Sequence, residues 1–181
     1  RPPSSLSFRV SRLFLPARAR GLFLTCCATA LDDIEIEYEA GARDREHARL
    51  YTARVDALQP LAADVMLLRL RLPEGEAIGY KAGQFINIIL EDGERRAYSF
   101  STAPRAAATI DLHVRLLPGG RFSTHVFNSM RAGDEIHFEG PLGYSSVADK
   151  DKPLILVAGS TGFAPVKSVL EYAFESGFKR Q

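Results

Sequence analysis

Apolar side chains recur at every second position through much of the chain between about Arg49 and Gly143, in short runs separated by turns that contain glycine. A period of two is the spacing of a β-strand with one buried face. This pattern predicts β-structure for the middle of the chain. The clearest run is 66–72, where one face holds Met66, Leu68, Leu70 and Leu72.

Further turns divide this region into elements. The sequence Glu-Asp-Gly-Glu at 91–94 predicts a hairpin turn, so the strands on its two sides run antiparallel. Pro118-Gly119-Gly120 breaks the chain again, and apolar residues at helical spacing follow it. The predicted elements are strands at 83–90, 96–101, 110–116 and 135–139, a short helix at Phe122, Val126 and Met130, and an end of the last strand at 140–143.

The pattern changes near the carboxyl end of the sequence. The run Leu-Ile-Leu-Val-Ala at 154–158 is continuously apolar, which is typical of a buried parallel strand. A loop of small residues at 159–162 follows, and Pro165 suits the first turn of a helix that ends near Gly177. This order predicts the first β–α unit of an α/β domain. The predicted apolar face of its helix holds Val166, Val169, Leu170, Ala173 and Phe174.

Charge and cysteine content narrow the function classes. Residues 1–31 contain five arginines and no acidic side chain, and the other 150 residues have a net charge of −4. A mildly acidic globular part disfavours a nucleic-acid surface, and no apolar run is long enough for a transmembrane helix. Two adjacent cysteines, Cys26 and Cys27, form no disulfide framework, which fits a reducing compartment and a cytoplasmic location.

The first chemical motif reads Arg-Ala-Tyr-Ser at 96–99. Alternation places Arg96 and Tyr98 on one face of a strand and Ser99 on the other. A guanidinium fork suits a diphosphate, a tyrosine ring suits a conjugated ring system, and a serine hydroxyl donates to a ring nitrogen. Taken singly, the motif fits equally well a strand with a surface arginine and a core tyrosine.

The second motif reads Gly-Gly-Arg-Phe-Ser at 119–123, after His-Val-Arg at 113–115. Glycines before a helix allow a ligand to approach the backbone closely, and the free N–H groups of the first helical turn favour a phosphate. The alternative is a glycine-rich turn with Ser123 as a plain helix cap.

The third motif reads Gly-Ser-Thr-Gly-Phe-Ala-Pro at 159–165. A small-residue loop after a buried strand is where α/β sheets bind ligands. Thr161 stands where the dinucleotide fingerprint and the P-loop need glycine. The run 158–162 is close to a nucleophile elbow around Ser160, but no histidine follows His137 to complete a triad.

Together, in this order and spacing, the motifs resemble the ferredoxin–NADP reductase superfamily, and most closely its oxygenase reductase components and CDP-6-deoxy-glucoseen reductases. The resemblance covers roughly 48–181 and includes Gly133-Asp134 and the run 139–143. Ser160 replaces the second glycine of the family's Gly-Gly-Thr-Gly loop. The resemblance implies an antiparallel, Greek-key, FAD-binding β-barrel of the ferredoxin-reductase type, followed by the start of an α/β nucleotide-binding domain.

The resemblance also implies a role for each motif. Ser99 and Thr161 would be the catalytic residues, Ser99 near flavin N5 and Thr161 near the nicotinamide. Arg96 would hold the FAD pyrophosphate, and Tyr98 would lie against the isoalloxazine. The other implied cofactor-binding residues are Phe100, His113, Val114, Arg115, Gly119, Gly120, Phe122, Ser123, Gly159 and Gly162.

The domain prediction has three parts. Residues 1–40 are a leader and a remnant of a [2Fe–2S] ferredoxin-like domain, 46–148 the FAD-binding barrel, and 152–181 the first β–α unit of a truncated NAD(P)H-binding domain. Cys26 resembles the last cluster ligand, but the C-x₄-C-x₂-C run that supplies the others is missing. We therefore predict no metal in this chain and a cluster only in a longer parent.

The implied function is electron transfer. Hydride would pass from NAD(P)H to FAD, and single electrons would go to an iron–sulfur centre or to an acceptor protein such as an oxygenase or ferredoxin. Impaired turnover is expected of a fragment. A non-catalytic flavin-binding module is the first alternative, and a nucleic-acid-binding barrel or a Ser160 hydrolase is less compatible with the charge and the missing base. The sequence leaves open the acceptor, NADH against NADPH, FAD against FMN beyond the resemblance, the oligomeric state and the folding of residues 1–20.

Overall fold

The structure, a computed structural model, describes residues 8–10, 28–30, 48–104, 108–143 and 155–177. The chain divides into two compact units, Arg1–Ala40 and Gly41–Gln181. In the first unit, strands β1 (Phe8–Val10) and β2 (Ala28–Ala30) pair antiparallel. The predictions for Cys26, Cys27 and the charged leader lie outside the described residues. None of the described helices is both long and apolar enough to span a bilayer.

The second unit contains a six-stranded antiparallel sheet in the order β6-β5-β8-β3-β4-β7. The hairpin predicted at 91–94 joins β5 to β6, and Gly93 supplies its positive φ of 81°. The antiparallel β-fold predicted from the alternation is confirmed. The strands are β3 (Arg49–Ala62), β4 (Val65–Arg71), β5 (Phe85–Ile89), β6 (Arg95–Ser99), β7 (Thr109–Arg115) and β8 (Glu135–Leu142).

The two outer strands of this sheet meet just beyond the end of β6. Phe100 forms an isolated antiparallel bridge with Leu112 of β7, and the Ser101 amide donates a 2.9 Å hydrogen bond to the Asp111 carbonyl. This contact curls the sheet around one core and places the end of β6 beside β7.

The core lies inside the curled sheet, and α1 (Arg121–Asn128) covers one side of it. On the face predicted from period two, Leu68, Leu70 and Leu72 are buried and Met66 is partly buried. The predicted helix positions Phe122, Val126 and Met130 are buried too. Burial of this apolar surface is the main stabilising term of the unit. The fully buried strand residues include Leu68, Leu70, Ile86, Ile88, Ile110, Leu112, Val114 and Phe138.

Strand β8 does not end where the sequence predicts. The glycine–proline run at 140–143 was expected to stop it, yet β8 continues to Leu142, which pairs with Phe85. Gly140 is needed for a different reason. A Cβ at this position would lie 2.7 Å from Ile86 Cγ2, so only glycine lets β8 pass this close to β5.

The predicted parallel strand at 154–158 is wrong for its described part, 155–158, which forms no strand. Ile155 and Val157 are each 87% exposed. A parallel strand needs neighbours to satisfy its backbone groups, and none of the described strands pairs with this segment. Leu154 lies outside the described residues.

Helix α2 (Phe163–Glu175) follows a single 3₁₀ turn, Ser160–Gly162. Pro165 lies in its first turn, and Gly177, with a φ of 65°, lies just past its end, as predicted. The apolar face predicted for this helix is not its most buried face. The buried positions are Ala164 and Ser168, whereas Phe174 is 81% exposed.

Polar contacts explain why α2 packs through this other face. The segment 101–103 presents backbone groups that the sheet does not use. Lys167 Nζ donates to the Ser101 carbonyl at 2.9 Å, and Ser168 Oγ donates to the Thr102 carbonyl at 2.5 Å. The Ala103 amide donates to Glu171 Oε2 at 2.9 Å. Satisfying these part-buried groups fixes the orientation of the helix.

Candidate cofactor site

The first two sequence motifs come together at one rim of the sheet. Arg96 and Tyr98 lie on the same face of β6, opposite Ile88 and Ile86 of β5. The Tyr98 ring packs against Phe122 of α1, with 5.4 Å between ring centroids and a 49° tilt. The pairing brings the arginine and tyrosine of the first motif to the amino end of the helix in the second.

The amino end of α1 is shaped by its two glycines. Gly119 has a φ of 73°, and a Cβ at Gly120 would lie 2.5 Å from Ser123 Oγ and 3.1 Å from the Leu117 carbonyl. The first helical hydrogen bond runs from the Thr124 amide to the Gly120 carbonyl. The amides of residues 121–123 therefore precede the helical ladder, which is the arrangement that binds phosphates in other proteins.

The Ser123 side chain holds this turn together. It is 4% exposed, accepts a hydrogen bond from the Leu117 amide at 3.2 Å and donates to the Gly120 carbonyl at 3.2 Å. Gly120, not Ser123, is the cap residue of α1. The Ser123 hydroxyl is thus engaged within the turn. The Ser123 backbone amide is therefore the group that this residue offers to a ligand.

Charged side chains surround the same rim. Arg96 forms an ion pair with Glu94 at 2.6 Å, and both side chains are 42% exposed. Arg121, at the start of α1, contacts Asp92 and lies 3.7 Å from Glu94 Oε2. The hydrogen bond from Arg121 lowers the pKa of Asp92 and raises the pKa of Arg121 itself. The guanidinium groups of Arg96 and Arg121 therefore both approach the Glu94 carboxylate at this rim.

The other two residues of the β6 motif differ in environment. Burial raises the pKa of Tyr98, so its phenol is neutral at ordinary pH and presents an uncharged ring. Ser99 lies on the opposite face of β6, across from Phe85. It is half-buried and is the last residue of β6, two positions before Ser101.

Two predicted cofactor-binding residues belong to the core. Phe100 and Val114 are fully buried, and the Phe100 ring stacks on Tyr80 with 3.8 Å between centroids and a 12° interplanar angle. Their side chains pack inside the sheet, so only their backbone could meet a ligand. The alternation of the sequence could not reveal that these side chains lie in the core. It shows which residues share a face of a strand, but not whether that face meets a ligand or the core. Phe122 is similarly buried, at 4% exposure, beneath Tyr98.

His113 and Arg115 share a face of β7 but have different partners. Arg115 Nε donates to Asp64 Oδ2 at 2.7 Å, in the turn between β3 and β4. His113 is half-buried, and desolvation, followed by the positive charge of Lys167, lowers its pKa. A neutral imidazole therefore faces the region where α2 meets the sheet.

The neutral state of His113 predicts a pH effect on stability. Its folded pKa lies below the ordinary 6.5, so the unfolded chain takes up the proton first as the pH falls. The unfolding free energy in urea should therefore be lower at about pH 5.5 than at about pH 7.5. In a His113→Asn variant this difference should shrink. His125→Asn, at an exposed position of α1, is the control and should keep the full difference.

The third motif lies on another side of β7. The Ser160–Gly162 turn contacts β7, and Ser160 adopts a φ of 53°, the left-handed region that the family's glycine would favour. Thr161 is half-buried, and Gly159 and Gly162 are exposed. The turn contacts β7 and α2. The strand β6 and its continuation to Ser101 connect the two groups of residues.

Several residues of these two groups were not singled out in the sequence. Arg121, Asp92 and Glu94 had a weak signal, since they flank the motifs already chosen. Lys167 and Glu171 had the spacing of a helical ion pair, which is 2.5 Å long in the structure. Among the described residues no cluster of histidine, cysteine or acidic side chains could hold a metal ion.

Residues 52–146 match the family model of the oxidoreductase FAD-binding domain. The chain belongs to this family. Terephthalate 1,2-dioxygenase reductase component 1 of Comamonas sp is 46% identical over 150 residues, which cover 82% of this chain and 44% of the relative. The CDP-6-deoxy-L-threo-D-glycero-4-hexulose-3-dehydrase reductase of Yersinia pestis is 37% identical over 164 residues, 90% of this chain and 50% of the relative. The chain spans about half the length of these curated relatives.

Solved structures share the fold of this chain. The Amycolatopsis cytochrome P450 reductase GcoB matches with a TM-score of 0.66 and 30% identity, over 95% of this chain and 55% of that chain. Phthalate dioxygenase reductase matches with a TM-score of 0.65 over 71% of this chain and 41% of that chain. At 22% identity the second likeness shows the fold alone. The resemblance found in the sequence is confirmed.

The residues at the rim fit the phosphates and the ring of FAD. The donors are cationic or backbone N–H groups, the types that bind a diphosphate. A Cβ at Gly120 would collide with the turn that presents the amides. The half-buried, neutral Tyr98 ring beside them suits a conjugated ring. The chemistry of this donor set agrees with the cofactor of the family.

Proposed function

We propose that this chain is the FAD-binding part of an NAD(P)H-dependent reductase, which passes hydride from a nicotinamide to FAD and single electrons to an iron–sulfur centre or oxygenase partner. The observation that carries the proposal is the meeting of Arg96, Tyr98 and the amino end of α1 at one rim, in a chain of the FAD-binding domain family. The names of the relatives, which are reductases of dioxygenase and dehydrase systems, support the acceptor class.

The chain's own residues would bind and orient the cofactor. Arg96 and the amides of residues 121–123 would hold the diphosphate, and Tyr98 would lie along the ring. Bound FAD supplies the chemistry, because a flavin accepts a hydride and releases electrons one at a time. Ser99 would donate a hydrogen bond at the ring edge, and Thr161 would help to position the nicotinamide. Neutral His113 would line the approach without adding a charge.

A non-catalytic flavin-binding module is the second candidate. The exposure of Ile155 and Val157 favours it, since these residues would belong to the nicotinamide-binding sheet and have no strand partner among the described residues. In this case the rim would bind FAD, and NAD(P)H would reduce it slowly or not at all. The cytoplasmic location predicted from the sequence and the absence of nucleic-acid and membrane partners remain predictions.

Flavin spectroscopy separates these candidates. We expect the purified chain to show the two visible absorbance bands of an oxidised flavin after incubation with FAD and gel filtration. Anaerobic addition of NADH or NADPH should bleach the longer-wavelength band in a reductase. FAD uptake without bleaching would support the binding module. A folded chain, verified by circular dichroism, that takes up no FAD would contradict both.

A further inference from the structure

Carboxylates lie beside the proposed phosphate site. Glu94 bridges the two guanidinium groups of the rim, with Oε1 2.6 Å from Arg96 and Oε2 3.7 Å from Arg121 Nη1. Its carboxylate therefore lies where a phosphate group would contact both cations. Guanidinium forks bind carboxylates and phosphates with the same geometry.

We propose that Glu94 is an internal competitor for the FAD phosphates, which keeps flavin affinity below what Arg96 and Arg121 would otherwise provide. The inference rests on the proposed function, because it takes the rim as the FAD site. To bind there, the diphosphate must take over Arg96 from the Glu94 carboxylate and approach Arg121 past the same charge. Glu94 thus sets the affinity of the site and restricts it to ligands with enough phosphate charge to displace it.

The solvent exposure of Glu94 and its hydrogen bonding support its role as a competitor. Glu94 and Arg96 are each 42% exposed, so their ion pair is screened by water and easily exchanged. The hairpin turn does not depend on the Glu94 side chain, because the turn bond from the Leu90 amide goes to the Glu94 backbone carbonyl. Asp92 differs, since its carboxylate accepts a hydrogen bond from the Glu94 amide at 3.1 Å. Replacing Glu94 therefore changes the competing charge and leaves the turn intact.

The strand offers a matched control on its other face. Arg95 Nε lies 3.5 Å from Glu139 Oε2 of β8, an arginine–glutamate pair of similar exposure one residue away from Arg96. Glu139→Gln removes the same amount of charge as Glu94→Gln but does so away from the rim. A general effect of net charge on flavin binding would appear in both variants.

The test is a set of equilibrium titrations followed by flavin fluorescence. FAD and riboflavin, which has no phosphate, are titrated into the full chain and into its Glu94→Gln, Glu139→Gln, Arg96→Ala and Glu94→Gln/Arg96→Ala variants. Glu94→Gln should bind FAD about two- to fivefold more tightly, the upper range expected when an exposed ion pair no longer competes. The gain should shrink in about 0.5 M salt and in the Arg96→Ala background. Riboflavin affinity and the Glu139→Gln variant should stay unchanged.

Each other result overturns the inference. An unchanged or weaker FAD affinity in Glu94→Gln, with circular dichroism showing a folded chain, means that Glu94 orients Arg96 rather than competing for it. An equal gain for riboflavin means that the effect does not act through phosphate. If neither the unchanged chain nor Glu94→Gln binds FAD, the proposed function fails and this inference fails with it. If the wild-type chain binds FAD and Glu94→Gln binds it no more tightly, only the proposed role of Glu94 is refuted.

Discussion

Replacing Arg96 by alanine is expected to weaken FAD binding roughly 10- to 150-fold, since hydrogen bonds to a charged group contribute about 1.5–3 kcal/mol. The guanidinium group stands at the rim beside the amides of α1 and is accessible to solvent, so a diphosphate can reach it. Fluorescence titration of the variant with FAD measures the loss.

Arg95→Ala is the matched control for this prediction. Arg95 occupies the adjacent position of β6, faces away from the rim and pairs with Glu139. Its removal changes the net charge by the same amount and should leave the FAD dissociation constant within about twofold, as for an exposed pair of little energetic value. Equal losses in the two variants would show that overall charge, not the rim, determines FAD binding.

The prediction of the strands succeeded where the signal is local. Period two marks the inward residues of β4 and β7, and a glycine with positive φ marks the hairpin between β5 and β6. The wrong predictions concern residues that are far apart in the sequence but adjacent in the sheet. Gly140 was interpreted as a strand end, although it permits β8 to pass close to Ile86, a residue more than fifty positions away. No local pattern records which strand lies alongside.

Helix α2 shows the same limit for packing. Its hydrophobic residues define an apolar face, yet the face that meets the sheet is the one with Ser168. The decisive factor is a set of backbone groups at 101–103 that need hydrogen-bond partners, and Lys167, Ser168 and Glu171 provide them. These hydrogen bonds set the face of α2 that meets the sheet. Sequence periodicity contains no information about those groups.

The sequence allowed the residues of the candidate site to be predicted, but not the ion pairs that connect them. Arg96, Tyr98 and the two glycines before α1 carry unusual chemistry for their positions, and the fold brings them to one rim. The contacts of Arg121 with Asp92 and Glu94 join residues about thirty positions apart. They depend on how the hairpin meets the helix. The opposing charges at the rim could therefore be recognised only in the structure.

Replacing Phe100 by alanine is expected to destabilise the fold by about 3–5 kcal/mol, the cost of removing a large buried aromatic side chain. Phe100 is fully buried, stacks on Tyr80 and forms the bridge to Leu112 that joins the outer strands of the sheet. The resemblance gave this residue a cofactor role, whereas its ring is part of the core. The loss should therefore appear in urea unfolding of the chain without added FAD.

Phe174→Ala is the control, because it makes the same substitution at a ring that is 81% exposed on α2. Its effect on the unfolding free energy should stay within about 0.5 kcal/mol, as for other surface substitutions. If Phe100→Ala unfolds at the same urea concentration as the unchanged chain but binds FAD more weakly, the ring contacts the cofactor and the assignment to the core is wrong. A loss of stability without FAD, with the Phe174 variant unaffected, places the side chain of Phe100 in the structural core that holds the rim in position.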